Sequence, residues 1–107
     1  MAEFLYVVRP SRPEMLSDGP ALGEAEALSA HAGYLQRLPD QGVLEMAGRT
    51  QTSDARTFGM VIFHAPDEET AREIMRADPA VDRGVMVAEF FPYRVAFKGG
   101  SAAATDR

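Results

Sequence analysis

A chain of 107 residues has room for one domain built around a single core. Its 11 basic and 16 acidic residues leave a net charge of -5 with Lys and Arg scattered, which argues against nucleic acid and against anionic membrane surfaces as partners. The absence of cysteine excludes disulfides, thiolate metal sites and cysteine nucleophiles, and it suits a reducing cytoplasm.

The first apolar run, "FLYVV", is too short for a secretory core or a membrane span, so a soluble, unprocessed protein is expected. "EFLYVV" is β-branched and aromatic and reads as a strand. "RPSRPEMLSDGP" breaks it with three prolines and a glycine and reads as a long loop. From about Ala21 to Leu38 apolar residues recur at helical spacing (Ala27, Leu28, Tyr34, Leu35, Leu38), until Pro39 and Gly42 end the run. "GVLEMAGR" and "RTFGMVIFH" are short apolar runs joined by a polar stretch, the pattern of a hairpin with a longish loop. Asp67 is a predicted N-cap, with Glu68 and Glu69 in the first turn where negative charge suits the dipole, and Ala71, Ile74 and Met75 form the buried stripe of a second helix. Pro79 stops that helix. "VMVAEFF" is the last strand, "RVAF" is a candidate continuation, and residues 98–107 read as a disordered tail behind an α+β domain over 1–97.

Strand, helix, strand, strand, helix, strand is the order of the split βαβ, or ferredoxin-like, arrangement, with a four-stranded antiparallel sheet and both helices on one face. A sheet with one wet face alternates apolar and polar residues. Here Phe4, Tyr6 and Val8 oppose Leu5 and Val7, while Met60 and Ile62 oppose Val61 and Phe63. Both faces are dry, and two helices cover only one of them, so the other face is expected to pack on a second copy in a homodimer.

His31 lies three and four residues from Leu28, Ala27, Tyr34 and Leu35, on the stripe that faces the sheet. A neutral imidazole there has one donor and one acceptor to satisfy. A backbone carbonyl or solvent would serve, and so would Asp78, because the topology brings the start of the first helix and the end of the second to the same end of the sheet. Asp78 stands at the negative end of the second helix, a poor place for a carboxylate unless it bonds the backbone past Pro79, as in Asp-Pro turns, or orients the histidine. His64 ends the third strand at the far end of the sheet and reads as a surface or capping residue. The sequence contains no metal-ligand spacing, Gly-rich phosphate loop or serine elbow, and neither metal nor cofactor is expected.

His31, Tyr34, Leu35, Leu38 and Gly42, Gly48 at the close of the second strand, and "ADPAV..GV" from Ala77 to Val85 together resemble the YCII-related proteins over about Glu3–Phe97. The resemblance implies a ferredoxin-like fold, dimers of the dimeric α+β barrel type, and an active site built on His31 and Asp78. It also implies mostly enzymes of unassigned reaction, one branch of which removes chloride from a chlorinated hydroxylated aromatic. The chain departs from the common pattern in its long first loop and in Arg49, which stands where many relatives carry proline.

Two classes of function follow. One is a small cofactor-independent enzyme of the lyase, isomerase or dehalogenase kind, with His31 as general acid or base and Asp78 as its orienter. Its substrate would be a small, aromatic or anionic metabolite with an acidic C–H or O–H. Arg9, Arg12 and Arg49, expected at the same end of the sheet, are then candidates to hold an anion, Tyr34 is a candidate substrate contact, and Met15 and Leu16 would cap the pocket. The other is a non-catalytic dimeric module that binds a small metabolite in the same cavity. Room beside His31 separates a site from a scaffold.

Overall fold

The computed structural model describes residues 1–38 and 42–99. Pro39, expected to stop the first helix, and all but the first two residues of the expected tail lie outside the described residues. The elements run β1 (Ala2–Pro10), α1 (Glu14–Asp18), α2 (Leu22–Gln36), β2 (Val43–Arg49), β3 (Gly59–Ala65), α3 (Glu68–Ala77), α4 (Pro79–Asp82) and β4 (Met86–Pro92). The strands form one antiparallel sheet in the order β2-β3-β1-β4, the expected ferredoxin-like α+β arrangement.

The core follows from strand alternation. Phe4, Tyr6 and Val8 of β1 and Val61, Phe63 and Ala65 of β3 turn to one face and are buried under Ala71, Ile74 and Met75 of α3. Each of the Val, Ile, Phe and Met side chains among these contributes on the order of 1.5–3 kcal/mol by leaving water, and each alanine less. Phe4 stacks on Phe90 with ring centroids 5.6 Å apart. α3 begins as expected, Asp67 Oδ1 accepting the Thr70 N–H at 2.7 Å. A close approach requires the glycine at 42, where an added Cβ would come within 2.6 Å of Ile74 Cδ1.

Two short helices were not legible as such. In the first loop the helical φ of Pro13 (-57°) opens α1 and the positive φ of Gly19 (88°) closes it, which turns Met15 into the interior. After α3, Pro79 does not hand over directly to a strand. It takes the first position of α4, where its fixed φ is helical and its missing N–H costs nothing. Gly84, at φ 74°, then turns the chain into β4.

The expected extension of the last strand by "RVAF" does not form. Beyond Pro92 the chain leaves the ladder and crosses the sheet on the side away from the helices. The Val95 N–H donates to Glu3 Oε1 of β1 at 3.0 Å, and Lys98 Nζ reaches Glu45 Oε2 of β2 at 2.6 Å. On that side Leu5 and Ile62 are buried, whereas Met46, Val87 and Phe91 are 62%, 57% and 37% exposed.

Candidate active site

Asp78 owes its position to two helix ends. As the C-cap of α3 its N–H bonds Met75 O, and as the N-cap of α4 its Oδ1 accepts the Ala80 N–H at 3.0 Å. The short helix thus places a positive helix end against a carboxylate that would otherwise face only the negative end of α3. The side chain is fully buried, 0% exposed.

Two further donors reach it. The Tyr6 hydroxyl, inward on β1, donates to Asp78 Oδ2 at 2.7 Å. His31 Nδ1, from α2, lies 2.7 Å from Oδ2 and 2.8 Å from Oδ1. A carboxylate at Nδ1 fixes the tautomer with its proton there and leaves Nε2 as the acceptor. The Asp-Pro turn bond and the histidine contact, alternatives in the sequence, are both made, by different electron pairs of one carboxylate. Burial, and then the charge of Asp78, push the Tyr6 hydroxyl well above the ordinary tyrosine range, so it stays a donor. The same two causes push Tyr34 up to about 12.

His31, whose side chain keeps 17% of its surface open, also lines a cavity of about 590 Å³, within the range of small-molecule sites. Its walls are mostly apolar: Leu28 and Leu35 of α2, Met15 and Leu16 of α1, Val61 and Met86 of the sheet. This explains α2, in which only Ala27 is fully buried. Its apolar stripe is shared between cavity and core: Leu28 and Leu35 border the cavity, while Tyr34 and Leu35 also pack against the core.

The candidate anion and substrate contacts separate. Val8 faces the helices, so alternation turns Arg9 to the other side of the sheet, where Nη1 is 3.5 Å from Glu89 and the guanidinium lies over Phe58. Arg12 grips Glu24 through two bonds of 2.9 and 2.6 Å outside the cavity lining. Tyr34 packs on the core and donates to Ile74 O at 2.7 Å, away from the cavity. Arg49 alone of the four lines the cavity with His31, joined by Ser53 and Thr57 of the β2–β3 loop, which sequence reasoning missed. Tyr6 was missed too, although a tyrosine on the inward face of a strand needs a partner for its hydroxyl. At the other end of the sheet His64 Nε2 is 3.1 Å from Glu45 Oε1, a half-buried contact.

Residues 7–93 match the model of the YCII-related domain. The chain belongs to the YCII-related family. The fold of this YCII-related chain is similar to that of 5-chloro-2-hydroxyhydroquinone dehydrochlorinase from Burkholderia phenoliruptrix AC1100, solved with 2,5-dihydroxybenzoquinone, at TM-score 0.58 and 18% identity over 85% of this chain and 93% of that one. SnoaB, a cofactor-independent oxygenase from Streptomyces nogalater, is similar at TM-score 0.48 and 12% identity over 92% of this chain and 97% of that one. No curated protein matches. Among the described residues no helix of the YCII-related chain is long and apolar enough to cross a membrane.

Proposed function

We propose that this protein is a small cofactor-independent enzyme in which His31 moves a proton on a small metabolite held in the cavity, with Asp78 fixing the ring. The observation that carries the reading is that one imidazole does two things. Its Nδ1 is engaged by a fully buried carboxylate and its ring lines a cavity of about 590 Å³.

The Nδ1–H tautomer presents a lone pair at Nε2, so the first step is abstraction of an acidic proton and the imidazolium formed is stabilised by Asp78. A positioned base is worth about 10²- to 10⁴-fold, enough for a phenol O–H or an activated C–H but little for an inert bond. Those lyases, isomerases and dehalogenases that act by proton abstraction begin this way, and the dehydrochlorinase with a similar fold supports testing that class first. The functional unit is a homodimer formed through the sheet face away from the helices, supported by the exposure of Met46, Val87 and Phe91 there.

Chlorinated hydroxyhydroquinones, other hydroxylated aromatics and lactones are the substrates to screen, following chloride release or deuterium uptake from D2O. Against the active compound, His31→Ala and Asp78→Asn are each expected to lose about 10²- to 10⁴-fold and the double variant little more, because a base and its orienter act as a unit. Turnover that survives His31→Ala, or none with any compound, would sink the proposal.

A further inference from the structure

His31 is one polar group in an otherwise apolar chamber, and the remaining polarity comes from the hairpin of β2 and β3. The geometry points to Arg49 as the anchor for an anionic group on the substrate, so that the cavity takes a small organic acid with an apolar body, its carboxylate on Arg49 and its acidic C–H or O–H toward His31. This rests on the reading of the cavity as the place where His31 works.

Arg49 stands opposite Gly59 in the β2–β3 register, on the same face as Ala47 and Val61 and so toward the helices, and as an exposed residue at the sheet edge it borders both the cavity and a smaller hollow beside Met46, Met60 and Ile62 on the other face. The position opposite carries no side chain to crowd it. A Cβ on Gly59 would meet Val8 Cγ2 at 3.1 Å and Gly48 O at 3.3 Å. The guanidinium is held from behind, Nε donating to Thr50 O at 3.2 Å and Nη2 to Thr52 O at 3.3 Å. Nη1 has no acceptor among the described residues.

Its place at the cavity sets it apart. Arg9, Arg12, Arg56 and Arg72 hold Glu89, Glu24, Asp54 and Glu68, whereas Arg49, like Arg37, Arg76, Arg83 and Arg94, makes no ion pair among the described residues, and of these five it alone lines the cavity. The loop that follows it is also pre-organised. Thr50 and Thr52 hydroxyls are 2.9 Å apart, Thr52 and Thr57 hydroxyls 2.7 Å, and the buried Thr57 hydroxyl donates to Thr52 O at 2.8 Å. A guanidinium already fixed by its own loop loses little freedom on binding, and its free edge matches the two oxygens of a carboxylate.

The probes are 4-fluorobenzoate and 4-fluorobenzamide, near-isosteres that differ in charge, titrated into the full chain and followed by fluorine NMR and by the ring protons of His31. Wild type is expected to bind the benzoate about 10- to 100-fold more tightly than the benzamide, the scale of a charge-assisted bond. Arg49→Met should bring the benzoate down to the level of the benzamide and leave the benzamide unchanged, and Arg49→Lys should restore part of the preference. Equal affinities in wild type, a preference that survives Arg49→Met, or no binding of either probe overturns the anchor. If the preference depends on Arg49 but the His31 signals do not move, the anchor stands and the reading of His31 as the working base falls. If His31 responds to both probes without preference, the reverse holds.

Discussion

Tyr6 shows how one hydroxyl can serve a site it does not enter. With Ala80 and His31 it supplies the donors that satisfy a carboxylate with no access to water. Tyr6→Phe keeps the ring, which packs edge-on to Phe63 at 5.8 Å, and removes only the donor. The loss of a bond to a buried charged acceptor is expected to cost about 1–3 kcal/mol in chemical denaturation. An unchanged midpoint and slope would mean that the hydroxyl contributes nothing to holding Asp78. His31 and Asp78 were legible from spacing and topology. Tyr6 was not, because strand alternation marks it as core and gives no sign of which buried tyrosine carries its hydroxyl to a carboxylate and which, like Tyr34, to a carbonyl.

At the scale of elements, the first loop is the segment where sequence and structure part most. Prolines and glycine mark breaks correctly, but they also bracket α1, whose five residues are too few to show a period. Arg12 and Glu24 then tie this segment to the start of α2, where Glu24 also accepts the Ala21 N–H at 2.8 Å. The bond from Arg12, followed by that from Ala21, pulls Glu24 from 4.5 down to about 2. The sign follows from that depression. Folded Glu24 binds its proton more weakly than the unfolded chain does, so the clasp is complete above about 4.5 and is lost as pH falls toward about 2. Amide exchange at Met15 and Leu16, corrected for intrinsic rates and referred to core β1 amides, is expected to accelerate over that window in wild type. In Glu24→Gln it should be fast throughout. Wild-type protection that stays constant down to pH 2 would disconnect the clasp from the roof of the cavity.

For the whole molecule, the ferredoxin-like layering was legible because each long element carries its own signal: short continuous apolar runs rich in β-branched and aromatic residues in β1 and β3, helical spacing of apolar residues in α2, and a cap followed by a stripe in α3. What was not legible is the path after β4. "RVAF" has strand propensity, but Tyr93 and Val95 bond to Glu3, carrying the segment across the sheet. That segment leaves Met46 and Val87 exposed on the same face, the basis for the proposed homodimer. Sedimentation at micromolar concentration is expected to give a single species of twice the chain mass, and Val87→Glu to give a monomer with an intact fold. A stable wild-type monomer at that concentration removes the argument.

The donors that converge on Asp78 come from β1, α2 and α4, so one carboxylate joins the sheet to both helical segments around it. It is a joint of the framework as well as a part of the site. On the proposed function, selection for stability and selection for proton transfer act on the same atoms, and neither can be tuned there without moving the other. Among laboratory variants the same coupling ranks the experiments. A rate measured on Asp78→Asn mixes the two effects unless a melting curve accompanies it, whereas His31, whose side chain keeps 17% of its surface open, reports on the chemistry more nearly alone.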